Sequence, residues 1–287
     1  MLSLPPLPTM EKAMTPQDLR RKSIAIRRDL LAMIHVAGAG HTGGALSSTD
    51  ILTALYYGVM RLDPAKPHWD GRDYFILSKG HCVEGLLCIL ADLGFFEKTE
   101  LSSFCQYGTR LIGHPNNKTP GVEMNTGALG HGLSIATGMA KGLKMSGRAN
   151  RVFTLMGDGE LAEGSVWEAA MAASHFKLDN LTAVIDRNHL QISGDTENVM
   201  ALEPLAERWG AFGWNVEEVD GHDVAALAAK FAAPAPAGKP RLFIARTVKG
   251  KGVKEMENVA KWHHGVPNEE LMASAMQQLD EAERSVS

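Results

Sequence analysis

The sequence predicts an α/β protein built on a doubly wound, mainly parallel sheet with helices on both faces. Three observations carry this. Short apolar runs at 74–78, 152–156, 181–186, 214–219 and 242–246 read as buried strands. Segments with helical spacing separate the later runs, and that alternation implies right-handed crossovers between parallel strands. Several runs end in Gly, Asp, Asn or His, at the carboxyl ends where such sheets bind ligands.

The elements follow in order. Thr15 caps a first helix with Pro16 in its first turn, and Leu19, Ile26, Leu30, Met33 and Ala37 recur at helical spacing. Gly38, Gly40, Gly43 and Gly44 are expected to end it in a loop that contains His41. A second helix is expected over about 49–60, after a cap region at Ser48 and Asp50. The strand at 74–78 runs into Lys79-Gly80-His81. From Gly130 the pattern alternates: helix 133–145, strand 152–156, helix 165–175, strand 181–186, helix 202–212, strand 214–219, helix 223–231, strand 242–246. Pro234-Ala235-Pro236-Ala237-Gly238-Lys239-Pro240 interrupts one continuous pattern, so it reads as a surface loop. The organisation expected is a loose arm at 1–14, one domain over 15–268, and a polar amphipathic helix with a frayed tail at 269–287.

Composition excludes several classes of function. A net charge of −4 without a dense Lys/Arg cluster disfavours nucleic acid and anionic membranes as partners. No apolar run approaches the ~20 residues of a membrane span, and the first ten residues lack a secretory pattern. Cys82, Cys88 and Cys105 form neither a CxxC pair nor a zinc spacing. Scattered thiols suit a reducing compartment, so a cytoplasmic location is expected.

The chemistry concentrates at strand ends. Gly157-Asp158-Gly159 closes one apolar run, and Asn188 stands just beyond the next, after Asp186 and Arg187. A carboxylate, an amide oxygen and the Leu190 carbonyl form an oxygen set that suits a divalent cation, with room for diphosphate to complete the shell. The glycines permit close phosphate approach and the next helix offers free N–H groups. Alone, such a Gly-Asp-Gly reads first as a tight turn with a capping Asp; Asn188 at the end of the next strand turns the reading to a metal site. Thr126-Gly127-Ala128-Leu129-Gly130-His131-Gly132 lies at another helix start. Its glycines miss the GxGxxG spacing, which argues against a nicotinamide cofactor; close helix packing through small residues is the alternative reading. His41, His81, His114, His263 and His264 sit in Gly-rich or Pro-flanked loops. Imidazoles there suit proton shuttling near neutral pH and hydrogen bonding to sugar hydroxyls or phosphate. Lys249-Gly250-Lys251-Gly252 reads either as a phosphate-binding turn or as a solvated loop.

Together these motifs resemble the N-terminal half of the transketolase family, from about Gln17 to Pro267. Gly40-His41-Thr42-Gly43-Gly44 resembles its SGHPG, and Arg72 to His81 its DRFVLSxGH. Gly113-His114-Pro115 matches GHP, and Thr126 to Gly132 matches TGPLGQG. Gly157 to Leu161 with Asp186-Arg187-Asn188 matches the thiamine diphosphate motif. The resemblance implies thiamine diphosphate with Mg2+, or another divalent cation such as Ca2+ or Mn2+, held by Asp158, Asn188 and Leu190. It places Gly157 and Gly159 at the diphosphate, and Gly127 and Leu129 at the aminopyrimidine. His41 and His81 would lie near the cofactor and the reacting carbons, and His114 at the donor hydroxyls. Glu163 would be the buried carboxylate of a subunit contact. The late histidine aligns either as His263 or as His264, with a slight preference for His263.

Thr42, Ala128 and His131 depart from the family's proline, proline and glutamine, changes that fit a retuned sugar pocket. Transketolases are about twice as long, and their activating glutamate lies in the following domain. The resemblance therefore implies the N-terminal subunit of a heterotetramer, working with a separate C-terminal subunit. Together they would transfer a two-carbon ketol unit between sugars, which are expected to be phosphorylated. The alternatives are other split thiamine enzymes, namely a 1-deoxyxylulose-phosphate synthase or a 2-oxo acid dehydrogenase component, and a non-catalytic scaffold.

Overall fold

The computed structural model describes residues 14–286; the first thirteen positions of the expected arm lie outside it. Helix α1 spans Pro16–Ala37 and α2 Thr42–Gly58. Strand β1 is Tyr74–Leu77, followed by α3 at Val83–Asp92 and α4 at Gly132–Met145. Then come β2 (Val152–Gly157), α5 (Gly164–His175) and β3 (Leu181–Arg187). A small antiparallel pair, β4 (Leu190–Gln191) and β5 (Gly194–Asp195), precedes α6 (Thr196–Val199) and α7 (Leu205–Ala211). The chain continues through β6 (Asn215–Asp220), α8 (Val224–Ala232), β7 (Arg241–Arg246) and α9 (Glu269–Arg284).

Five strands form one wholly parallel sheet in the order β1-β2-β3-β7-β6. Because side chains alternate along a strand, the sheet divides its apolar residues between two cores. Phe75, Leu77, Phe153, Leu155, Val184, Phe243 and Ala245 join α1, α2, α3, α8 and α9 on one face. Ile76, Val152, Met156, Ala183, Ile185, Leu242 and Ile244 join α4, α5 and α7 on the other. The helices thus cover both faces, as the alternation of the sequence implies. All five strands point the same way, so the loops after them gather at one edge.

The differences from expectation are local. Helix α2 begins at Thr42 rather than near residue 49, and it absorbs two glycines that resemble loop formers. Their role is close approach: a Cβ on Gly43 would lie 2.7 Å from the Trp262 carbonyl oxygen, and one on Gly44 2.4 Å from Cys82 Sγ. Helix α3 carries no polar face to give it a readable period, since Val83 through Ala91 are all buried. The C-terminal helix is not a separate appendage. Ala275 and Leu279 enter the first core, Arg28 bonds Asp280 and Glu283, and Val286 is buried with its carbonyl accepting from Arg21.

Gly43→Ala tests the close approach. Helix propensity would favour alanine by about 1 kcal/mol, whereas forcing a methyl against fixed backbone costs about 1–3 kcal/mol. Urea denaturation should therefore show a net loss of stability; a gain would mean the Trp262 turn is free to move away.

Candidate active site

Asp186, the penultimate residue of β3, is completely buried and gathers four partners. It accepts from the Lys79 ammonium and the Thr247 hydroxyl, from Ser47 Oγ at 2.6 Å and from Asn188 Nδ2 at 3.2 Å. These come from the ends of β1, β7 and β3 and from α2. Burial alone would raise the Asp186 carboxyl, but the Lys79 ammonium outweighs it and holds the acid below its ordinary range. Reciprocally, Asp186 overcomes the desolvation of Lys79 and keeps that amine charged.

The turn after β2 is built on two further buried carboxylates. Asp158 Oδ1 accepts the Gly159 N–H at 2.8 Å; Oδ2 accepts the His189 N–H at 2.7 Å and Arg187 Nη1 at 3.2 Å. Burial, with Asp186 beside it, pushes the Asp158 carboxyl upward despite Arg187. Glu160 accepts from the Ser78 hydroxyl, from the Gly130 N–H at 2.8 Å and from the Gly157 N–H at 3.1 Å. It therefore ties three loops together. Asn188 Oδ1 accepts the Leu190 N–H at 3.1 Å, and the Leu190 carbonyl accepts Lys249 Nζ at 3.0 Å. Lys249 Nζ also donates to His263 Nδ1 at 3.0 Å. This lysine is buried, which removes the solvated-loop reading of the 249–252 turn at that position. Its backbone is braced from behind: His222 Nε2 accepts the Val248 N–H at 2.8 Å, and Nδ1 bonds Asp50, itself paired with Arg27.

Five histidines converge above these groups. His41, at the start of α2, has its ring centroid 4.9 Å from that of His264, 5.3 Å from His81, 5.8 Å from His263 and 6.1 Å from His114. His81 stacks on His263 at 5.1 Å. The strap at Thr126–Gly127 holds this arrangement. Thr126 Oγ1 donates to the Leu77 carbonyl at 2.6 Å. Gly127 has a φ of +136°, and a Cβ there would sit 2.4 Å from the His114 ring. Burial lowers His41 to about 4, His81 to about 2 and His263 to about 3, and the neighbouring lysines and histidines push the same way. His114 is lowered by burial alone. These imidazoles are neutral near pH 7, fit to accept protons and to hydrogen-bond hydroxyl groups.

All five sequence-predicted histidines therefore meet; Gly127 packs on the His114 ring, and Lys249 Nζ links His263 to the Leu190 carbonyl. His263 reaches both His81 and Lys249, whereas His264 touches His41. Leu129 lies half-buried on the strap. Glu163 is exposed in this chain at the start of α5, where a subunit contact could cover it, and the carboxylate buried within the chain at this turn is Glu160. Sequence reasoning also passed over the roles of Lys79 and Asp186. The available signal was an ionisable residue at or just beyond the end of an apolar run.

Asp158, Asn188 and the Leu190 carbonyl offer carboxylate, amide and carbonyl oxygens, the donor types a hard divalent cation takes; the Leu190 carbonyl here accepts Lys249 Nζ. Among the described residues no group of three His, Cys, Asp or Glu is arranged to hold a metal.

Known proteins share this architecture. The family described as "Transketolase, thiamine diphosphate binding domain" matches residues 20–281. An apulose-4-phosphate transketolase subunit of Phocaeicola vulgatus is 48% identical, over 92% of this chain and 95% of its own. A 6-deoxy-6-sulfo-D-fructose transketolase subunit from a Clostridium species is 40% identical, over 92% and 96%. The crystal structure of Campylobacter jejuni transketolase superposes with a TM-score of 0.86 at 31% identity, covering 91% of this chain. Of that longer protein the chain spans only 43%. No described helix is long and apolar enough to cross a membrane.

Two outcomes are expected. Asp186→Asn strands a buried ammonium and should cost about 3–5 kcal/mol in chemical denaturation. Adding Lys79→Met should recover much of that loss, and failure to do so would show that the pair is not the main partner. Separately, the histidines are depressed below their usual 6.5, so the unfolded chain binds protons first. Their contribution is present above pH 6.5 and is lost as pH falls toward about 4 and then about 3. Thermal melts should drop through this window, and His41→Asn should flatten the drop.

Proposed function

The chain belongs to the transketolase family, and from that premise we propose that it is the N-terminal, cofactor-holding subunit of a two-chain transketolase. It transfers a two-carbon ketol unit from a ketose to an aldose together with a separate C-terminal subunit, in a heterotetramer with two chains of each kind. The observation that carries this reading is coverage. The chain matches almost the full length of a relative whose name makes it one part of a transketolase, but less than half of the longer transketolase. The substrates are proposed to be phosphorylated sugars, supported by the phosphorylated ketose in that relative's name. Three free cysteines support a reducing, cytoplasmic setting.

In this assignment Asp158, Asn188 and the Leu190 carbonyl hold Mg2+, or Mn2+ or Ca2+ in its place. Gly157 and Gly159 lie against the diphosphate, and Lys249 neutralises part of its charge. Gly127 and Leu129 support the aminopyrimidine, with His81 and His263 on the cofactor side. Thiamine diphosphate, when bound, supplies the electron sink for breaking and forming the carbon–carbon bond. This chain's own task is to orient the sugar and move its protons. His41, His114 and His264 hydrogen-bond sugar hydroxyls, and the cluster takes the hydroxyl proton released on cleavage. Glu163, exposed here, lies at the proposed subunit contact.

The test is to co-purify both subunits and to assay the complex with several ketose phosphates. Absence of ketol transfer despite bound cofactor would sink the reading. Calorimetry on the same complex should show that Asp158→Ala abolishes metal-dependent cofactor binding. Lys249→Ala should weaken that binding about tenfold, the scale of one hydrogen bond to a charged group; unchanged affinity in either variant removes that residue's role.

A further inference from the structure

One buried carboxylate beneath the histidines takes no part in the chemistry described above. Glu84 lies in the first turn of α3 and is completely buried. Its Oε1 accepts the His41 backbone N–H at 2.7 Å. Gly40 leaves no slack there, since a Cβ would lie 3.0 Å from Oε1 and 2.7 Å from Ile34. On the opposite side the same backbone is clamped to the turn that carries His263 and His264. The Gly265 N–H donates to the Gly40 carbonyl at 3.2 Å, and Thr42 Oγ1 donates to the Gly265 carbonyl at 2.6 Å. His41 is thus held between α3 and the late histidine turn, and its ring is the one that meets all four others.

The second oxygen of Glu84 is the anomaly. Oε2 is buried with no hydrogen-bond partner among the described residues. A buried ionised carboxylate needs both oxygens satisfied, whereas a neutral acid is far less costly to bury.

We propose that Glu84 is a positioning residue for His41, and that its charge state sets how firmly the His41 backbone is held against α3. As a contribution to ketol transfer this rests on the function proposed above; the hydrogen bond and its titration do not. An ionised acceptor binds the N–H more strongly than a neutral one. Burial raises the Glu84 carboxyl to about 7, with the His41 N–H pulling the other way. The groups facing it are Lys79 from the turn after β1, Cys82, Cys88 on its own helix and Cys105 across the loop. Asp186 keeps Lys79 charged, and burial raises all three thiols, Cys82 to about 12. From α1 the contact is the apolar Ile34. Near neutral pH, Glu84 is therefore the group in this set that changes charge.

Nuclear magnetic resonance on the full chain tests this without any assay of turnover. With glutamate carboxyl carbons labelled, one carboxyl and the His41 amide proton should titrate together with a midpoint near 7. Glu84→Gln, close in shape to the neutral acid, should abolish both titrations. A wild-type His41 amide that stays fixed between pH 5.5 and 8.5, or one that still titrates in the variant, overturns the proposal. The wild-type measurement decides even where the variant fails to fold. In the two-subunit complex, Glu84→Gln should lower kcat about tenfold at pH 8, the scale separating charged from neutral hydrogen bonds. At pH 6 the loss should be under about twofold, because wild type is then mostly protonated. Equal losses at both pH values would mark a purely structural residue and refute the charge-state role.

Discussion

The buried pair of Asp186 and Lys79 is the constraint on which the site depends. It joins the ends of β1, β3 and β7 to the first turns of α2 through one carboxylate with hydroxyl and amide donors around it. Such a pair adds little net stability over an apolar replacement, because desolvation offsets most of the attraction. Its consequence is geometric. Asn188 stands two residues beyond Asp186, His81 two beyond Lys79, and Lys249 two beyond Thr247. Fixing these residues fixes the amide oxygen, one face of the histidine cluster and the Lys249 ammonium together.

The same low-dielectric setting governs protonation. Burial, with two lysines close by, keeps the His81 and His263 imidazoles neutral. Arg187 balances the other side. It is completely buried and shares its charge among Asp158, Glu197 and Glu203, so Asp158 sits against both a cation and the backbone of its turn. Around Arg187 the site is thus built from matched charges.

Much of this was legible in the chain. The five strands, their parallel sense and the gathering of Asp158, Asn188 and His81 at one edge follow from apolar runs punctuated by polar residues. What escaped has identifiable causes. Gly43 and Gly44 resemble loop formers but serve close packing against Trp262 and Cys82, contacts distant in sequence. Helix α3 is buried all round, so it has no polar stripe to reveal its period. Glu160 stands in the turn after β2, and only the path of the loop at Gly130 decides that it is buried within the chain.

Sequence by itself determined the layered α/β architecture, the oxygen donors past β2 and β3 and the histidine-bearing loops, because periodicity and residue type are local properties. Tertiary structure alone decided that five histidines from four separate segments share one cluster around His41. It also decided that Lys249 is buried against Leu190 and that Glu84 holds the His41 backbone from below. Charge state, burial and hydrogen-bond partnership depend on which distant segments approach, and the parallel sheet sets that approach by bringing every strand end to the same edge.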